Sequence, residues 1–207
     1  MDLSTPETRV LGCLLEKQRT TPGAYPLSLN ALRLACNQST NRDPVVDYDD
    51  AVIRDALHRL ERRGFARLAS GAGSRAAKHR HLLAEALPMD SAEQAIMCVL
   101  MLRGPQTPGE LKQRTERIHP FGDLTSLHEA LGRLTERELV ACLERRPGQK
   151  EQRYAQLLTD TAEQDAETTH ANATPPIGDL QQRVARLEHE VAELRAMMRD
   201  PISEQHP

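Results

Sequence analysis

The sequence predicts a mainly α fold with small β-wings: two winged-helix domains in tandem, followed by a C-terminal coiled-coil helix. Three observations predict it. The segment Ala56-Leu57-His58-Arg59-Leu60-Glu61-Arg62-Arg63-Gly64-Phe65 returns as Ala130-Leu131-Gly132-Arg133-Leu134-Thr135-Glu136-Arg137-Glu138-Leu139, each copy ending an amphipathic stretch and running into a short apolar one. Two helix-like segments precede each copy, and two strand-like segments around a Gly-rich or Pro-Gly turn follow it, so the unit reads helix, helix, helix, strand, wing, strand. Finally, Ile177, Val184, Val191 and Met198 lie seven apart with Leu180, Leu187 and Leu194 between them, which is a heptad seam.

The elements follow in order. Ser4-Thr5-Pro6-Glu7 opens the first helix as a capping box with proline in the first turn, and Val10, Leu11, Leu14 and Leu15 continue it at helical spacing. Thr21-Pro22-Gly23 breaks the chain. Ser28 caps a second helix with Leu29, Leu32 and Ala35 on one face, and the polar turn from Asn37 to Pro44 leads to a third. That helix, from about Asp49 to Arg63, carries Ile53, Ala56, Leu57 and Leu60 as its apolar stripe and stops at Gly64. Residues 65–70 and 78–84 read as strands around the wing Gly71-Ala72-Gly73-Ser74-Arg75.

The second copy repeats the order. Asp90-Ser91-Ala92-Glu93 caps a helix containing Ile96, Met97, Leu100 and Met101, and Thr107-Pro108-Gly109-Glu110 opens a shorter one through Arg117. Residues 123–138 form its third helix, 139–144 and 151–158 its strands, and Arg146-Pro147-Gly148-Gln149 its wing turn. The expected organisation is a first winged helix over 1–88, a second over 89–159, a flexible linker over 160–176, a coiled-coil helix over 177–199 and a disordered tail over 200–207. Branched residues at one seam position with leucine at the other favour a parallel pair. The charge pairs Arg183 with Glu188 and Glu190 with Arg195 also suit an antiparallel one, and a helix folded back on its own chain is the other alternative.

Composition narrows the function. The net charge is −3, but residues 1–88 hold 13 Lys and Arg against 10 Asp and Glu, whereas residues 161–207 hold 4 against 9. The basic excess is modest, so the positions of the cations carry the argument for nucleic acid. There is no tryptophan and there are only five other aromatic residues, which disfavours base-stacking modules for single strands. Cys13, Cys36, Cys98 and Cys142 fall in different elements with no C-x-x-C pair and no signal peptide ahead of them, as expected of reduced thiols in a cytoplasmic protein. No apolar run approaches the roughly 18 residues that a membrane span needs.

No enzyme is expected. Gly71-Ala72-Gly73-Ser74-Arg75-Ala76 matches a loose dinucleotide pattern, but a hairpin turn explains the glycines and the strand-and-acid context that a cofactor needs is missing. His79 and His81 share one side of a strand without a third ligand at metal spacing, so neither cofactor nor metal is expected. The basic wings are the functional candidates: Arg75, Lys78 and Arg80 around the first, and Arg145, Arg146, Lys150 and Arg153 around the second, all suited to phosphates of duplex DNA. Against this stands the acidic front of the third helices, Asp47, Asp49, Asp50 and Asp55 in the first and Asp123, Glu129 and Glu136 in the second. A protein-binding adaptor is the alternative, with Asn37, Gln38, Asn41 and Arg42 as its contact loop. In that loop Arg42 and Asp43 suit a structural ion pair as well as a ligand contact.

Longer strings carry a resemblance. Residues 20–32 (TTPGAYPLSLNAL), 35–38 (ACNQ), 41–45 (NRDPV), 103–111 (RGPQTPGEL) and 147–154 (PGQKEQRY) closely resemble the YceH-like family of uncharacterised bacterial proteins, over about residues 3–160. The resemblance implies tandem winged helices and a cytoplasmic setting, and it implies no activity. The heptad tail lies outside it, so self-association rests on the seam alone.

Overall fold

The computed structural model describes residues 2–69, 77–145 and 151–159. Among these it is a mixed, mainly helical α+β structure, with seven α-helices and small antiparallel sheets. The order is α1 (Thr5–Thr20), β1 (Leu27–Ser28), α2 (Leu29–Cys36), α3 (Asp50–Arg62), β2 (Ala66–Leu68), β3 (Lys78–His81), α4 (Leu83–Ala86), α5 (Ser91–Arg103), α6 (Pro108–Thr115), α7 (Leu124–Glu136), β4 (Val140–Leu143) and β5 (Arg153–Gln156). No helix among the described residues is long and apolar enough to cross a membrane.

The helix ends sit where the capping residues put them. Glu7 Oε2 accepts from the Ser4 amide at 2.8 Å, Asp90 and Glu93 close a reciprocal box ahead of α5, and Thr107 with Glu110 does so ahead of α6. Asp49 and Asp123 accept from the amides of Val52 and Ser126 at 2.9 and 2.8 Å, fixing the starts of α3 and α7. Gly64 ends α3 with φ +77°, a conformation that glycine adopts without a Cβ clash. The matched stripes Ile53, Ala56, Leu57, Leu60 and Leu127, Ala130, Leu131, Leu134 are all buried.

Two local expectations change. The segment expected as a strand over 78–84 pairs only through His81, and Leu83–Ala86 turns helical as α4, which drops the Leu83 side chain fully into the core. The first sheet also has three strands rather than two, in the order β1-β3-β2, because Leu27 and Ser28 pair with His79 and Lys78. The second sheet pairs Val140 with Gln156 through to Leu143 with Arg153.

The described residues form one compact unit. Helix α1 lies along α5, and the Cys98 thiol reaches the Gly12 carbonyl at 3.5 Å across that contact. Helix α5 is buried from Glu93 to Leu102, on every side of the helix. A helix covered all round is a core element rather than one wall of a core. At the far end the Leu3 amide donates to the Leu158 carbonyl at 2.8 Å, so the last strand returns to the start of α1. The apolar interior is thus continuous across residue 88, where one expected domain passes to the next.

The wing tips with Arg75, Arg146 and Lys150, the Gly71–Ala76 motif, the linker and the whole heptad seam from Ile177 to Met198 lie outside the described residues.

Candidate nucleic-acid interface

The first sheet presents two different faces. Ala66 pairs with His81 and Leu68 with His79; on this side His79 Nδ1 lies 3.2 Å from Glu61 of α3 and both Ala66 and His81 are buried, while Leu68 is exposed. Arg67 and Arg80 pair across the strands on the opposite side. Arg67 and Lys78 are exposed, and Arg80 lies 3.0 Å from Glu85 of α4. Arg145, two residues past β4, is exposed, and Arg153 at the start of β5 is half-buried.

His81 has a defined hydrogen-bonding state. Its Nδ1 accepts from the Leu83 amide at 3.3 Å, so Nε2 carries the proton and donates to Gln18 Oε1 at 2.7 Å. Burial is the largest cause that lowers its pKa from 6.5 to about 4, with Arg80 and Arg19 adding to the effect. The unfolded chain therefore takes up this proton first, and the stability from the neutral ring, complete above pH 6.5, is lost as the pH falls toward 4. This one group accounts for up to about 3 kcal/mol. Denaturant melts between pH 7 and 4 are expected to show a shallower loss for His81→Gln than for the natural chain. Equal pH slopes would assign the acid sensitivity to other groups.

The loop from Asn37 to Tyr48 is turned inward by its own polar side chains. Asn37 closes it, with Oδ1 accepting from the Tyr48 amide at 2.9 Å and Nδ2 donating to the Tyr48 carbonyl at 2.8 Å. Arg42 is 5% exposed: its guanidinium meets Glu16 of α1 at 2.7 and 3.1 Å, and its Nε donates to the Ala35 carbonyl at 3.0 Å. Arg42 is therefore a structural ion-pair residue whose partner is Glu16. The loop is also fastened to α5, where the Asp43 amide donates to the Leu102 carbonyl at 2.9 Å and Arg103 hydrogen-bonds Asn41. Gln38 and Asn41 remain near the surface.

On α3 the acidic front is engaged rather than free. Asp49 is the N-cap, Asp50 pairs with Arg33 of α2 at 2.9 Å, and Asp55 pairs with Arg59 at 3.0 Å. On the exposed side Arg54, His58 and Arg62 stand at i, i+4 and i+8, one line along the helix. Neither Arg54 nor Arg62, nor Arg67 beyond them on β2, has a carboxylate within ion-pair distance among the described residues. Asp55, His58, Arg59, Arg62 and Arg63 line a shallow hollow of about 480 Å³. Reasoning from the sequence missed this line of cations, although the same 3.6-residue period that exposes the apolar stripe places Arg54, His58 and Arg62 opposite it.

Helix α7 is built differently. Arg133 meets Asp90 at 2.8 Å and Glu93 at 3.1 Å, and Arg137 meets Glu93 at 3.4 Å, so its cations are held by the N-terminus of α5. Leu124 is exposed at its start, and His128 Nδ1 donates to the Leu124 carbonyl at 2.7 Å. Of the two equivalent helices, only α3 offers unengaged positive charge.

Comparison with known proteins places the chain. The family model described as "Protein of unknown function, DUF480" matches residues 3–149. The UPF0502 protein of Pelobacter propionicus is 48% identical, over 99% of this chain and 96% of its own length. That of Geobacter metallireducens is 50% identical over 91% and 88%, and that of Shewanella sp. strain MR-4 is 44% identical over 94% and 95%. The chain belongs to this DUF480/UPF0502 family of uncharacterised bacterial proteins.

Proposed function

We propose that the chain is a non-enzymatic duplex-DNA-binding protein, a transcription regulator or chromosome-associated factor. In this reading it is a tandem winged helix that meets the backbone through α3 and the first hairpin. The observation that carries the reading is the state of charge on α3: the acids are engaged by the cap, Arg33 and Arg59, while Arg54, Arg62 and Arg67 are left toward solvent. Long exposed cations in a line suit successive phosphates, and engaged carboxylates repel them less. Lys78 on β3 adds a further exposed cation, and Arg75 is expected in the wing before it. The heptads of residues 177–198 support self-association, which would present two such surfaces together. The adaptor reading is less well supported, because Asn37 and Arg42 of its contact loop bond within the chain.

Salt titration of binding to random duplex DNA tests the reading. Replacing Arg54, Arg62 and Arg67 together by alanine is expected to weaken binding at every sequence tried. It should also flatten the slope of log K against log salt by about 2 to 3. All three side chains are exposed, so thermal melting should be little changed. Unchanged affinity and slope, or a natural chain that binds no duplex at low salt, would overturn it.

A further inference from the structure

The two halves hold the end of their third helix with different groups. Arg133 and Arg137 of α7 stand where the repeated segment puts Arg59 and Arg63 in α3, and the capping pair Asp90 and Glu93 ahead of α5 stands where Ser4 and Glu7 do ahead of α1. In the second half the set is complete: Arg133 bonds Glu93 Oε1 at 3.1 Å and Asp90 Oδ2 at 2.8 Å, and Arg137 reaches Glu93 Oε2 at 3.4 Å. In the first half the cap is the uncharged Ser4. Arg63 stands 3.8 Å from Glu7 Oε1, a buried atom with no hydrogen-bond partner, and Arg59 turns instead to the exposed Asp55 at 3.0 Å. One carboxylate is therefore missing from the first set. The cation that it would hold, Arg59, lines the hollow on α3 together with His58, Arg62 and Arg63.

The last described residue, Thr159, lies beside the uncharged cap. Leu3 and Thr159 form a parallel bridge, the Thr8 and Thr159 hydroxyls meet at 2.7 Å, and Arg63 Nη1 donates to the Asp2 carbonyl at 2.7 Å. Because the pairing is parallel, the chain leaves Thr159 in the direction in which Leu3 leads to Ser4. The next six residues, Asp160-Thr161-Ala162-Glu163-Gln164-Asp165, carry three carboxylates and no Lys or Arg. Six extended residues span up to about 20 Å, whereas Asp55 and Arg63, the ends of the hollow, are separated by about 12 Å of helix. The segment is long enough to cover the hollow from end to end.

We propose that residues 160–165 dock on the C-terminal half of α3, with Asp160 supplying to Arg59 the carboxylate that Asp90 supplies to Arg133, and Glu163 and Asp165 answering the cations of the hollow. Arg59 then leaves Asp55, and its guanidinium reaches the vacant Glu7 Oε1 as that of Arg133 reaches Glu93. The occupant is an acidic segment of the same chain, and it covers Arg62 of the face proposed for duplex DNA. Carboxylates and phosphates compete for the same cations, so the docked segment is a mask that DNA must displace. The masking rests on the DNA-binding reading; the docking does not.

Carbodiimide coupling of the full-length chain tests the docking without DNA. Arg62 is exposed, so Arg62→Lys places an amine in the hollow at little structural cost, and the reagent joins that amine to a carboxylate paired with it. Peptide mapping is expected to find position 62 joined within one chain to Glu163 or Asp165. The bond should be lost in about 1 M salt, where the Debye length is roughly 3 Å, and when Asp160→Asn, Glu163→Gln and Asp165→Asn are added. Position 62 left unjoined, joined only between two chains, or joined only to a carboxylate of α3 itself overturns the docking. Salt titration of binding to random duplex DNA reads the mask. The three neutral substitutions, made in the natural chain, should tighten binding by about five- to tenfold at low salt. Unchanged affinity beside a mapped bond overturns the masking. If the bond forms while neither chain binds duplex, the docking stands and the DNA-binding reading falls.

Discussion

Replacing Arg42 by alanine is expected to cost about 3 to 5 kcal/mol of folding stability, because it strips a buried ion pair of one partner. Four bonds leave with the side chain: two to Glu16 and one each to the carbonyls of Ala35 and Asn41. Burial would raise the Glu16 pKa, but Arg42 reverses this and holds the carboxyl below its ordinary value. Without the guanidinium that carboxylate is left partly buried beside Lys17 alone. Glu16 has a depressed folded pKa, so its contribution is complete above pH 4.5 and is lost as the pH falls through the folded value. Chemical denaturation at pH 7 measures the loss. The double variant Arg42→Met with Glu16→Gln should recover part of it, since no charge is then stranded. If the double variant is as unstable as the sum of the single ones, the pair is not coupled and the cost lies in the loop.

The repeated half-unit was legible because it is written in short-range chemistry. Caps at Ser4, Ser28, Asp49, Asp90, Thr107 and Asp123 start helices for local reasons, and the matched stripes of α3 and α7 need only a 3.6-residue period. What escaped depends on partners distant in sequence. Strand β1 is two residues long and exists because β3 passes beside it. The strand expected over 78–84 takes in residues 83 and 84, but burying Leu83 and bonding the Leu82 amide to the Phe65 carbonyl favoured a turn of helix there. The eight consecutive apolar residues Ala95–Leu102 fit the helix that the structure covers on every side, whereas the sequence reading named only Ile96, Met97, Leu100 and Met101 in it.

The candidate site divides in the same way. Arg54, His58 and Arg62 could have been found from spacing. The quieting of the acidic front could not, since Asp50 is answered by Arg33 seventeen residues away on another helix. Arg80, picked out as a wing cation, lies 3.0 Å from Glu85, and that pairing depends on α4 forming at all. Arg42 could be read as structural or as a contact, and the suggested partner was its neighbour Asp43. The actual partner, Glu16, lies on α1, where the fold returns the loop to the first helix.

Gly12→Val is expected to produce the second large loss, and it tests the contact between α1 and α5 directly. Glycine inside a helix costs about 0.5 to 1 kcal/mol relative to alanine, so its presence calls for a reason. A Cβ at Gly12 would lie 3.0 Å from Leu102 Cδ2, 3.1 Å from Leu102 Cγ and 3.1 Å from Met101 Cβ, already too close before any branch is added. Valine adds two methyl groups into that crossing, and forced overpacking costs about 1 to 3 kcal/mol or more. At the upper end, a unit of this size should melt lower by roughly 6 to 12 °C. Gly132 of α7 is the matched control: a Cβ there meets nothing within 4 Å, so Gly132→Ala should stabilise by about 0.5 to 1 kcal/mol through helix propensity. Differential scanning calorimetry separates the two effects. If α1 and α5 share one core, the Gly12→Val melt stays a single transition and moves down as a whole. A split into one shifted and one unshifted transition would mean that the two halves unfold independently and that the α1–α5 contact contributes little to their stability.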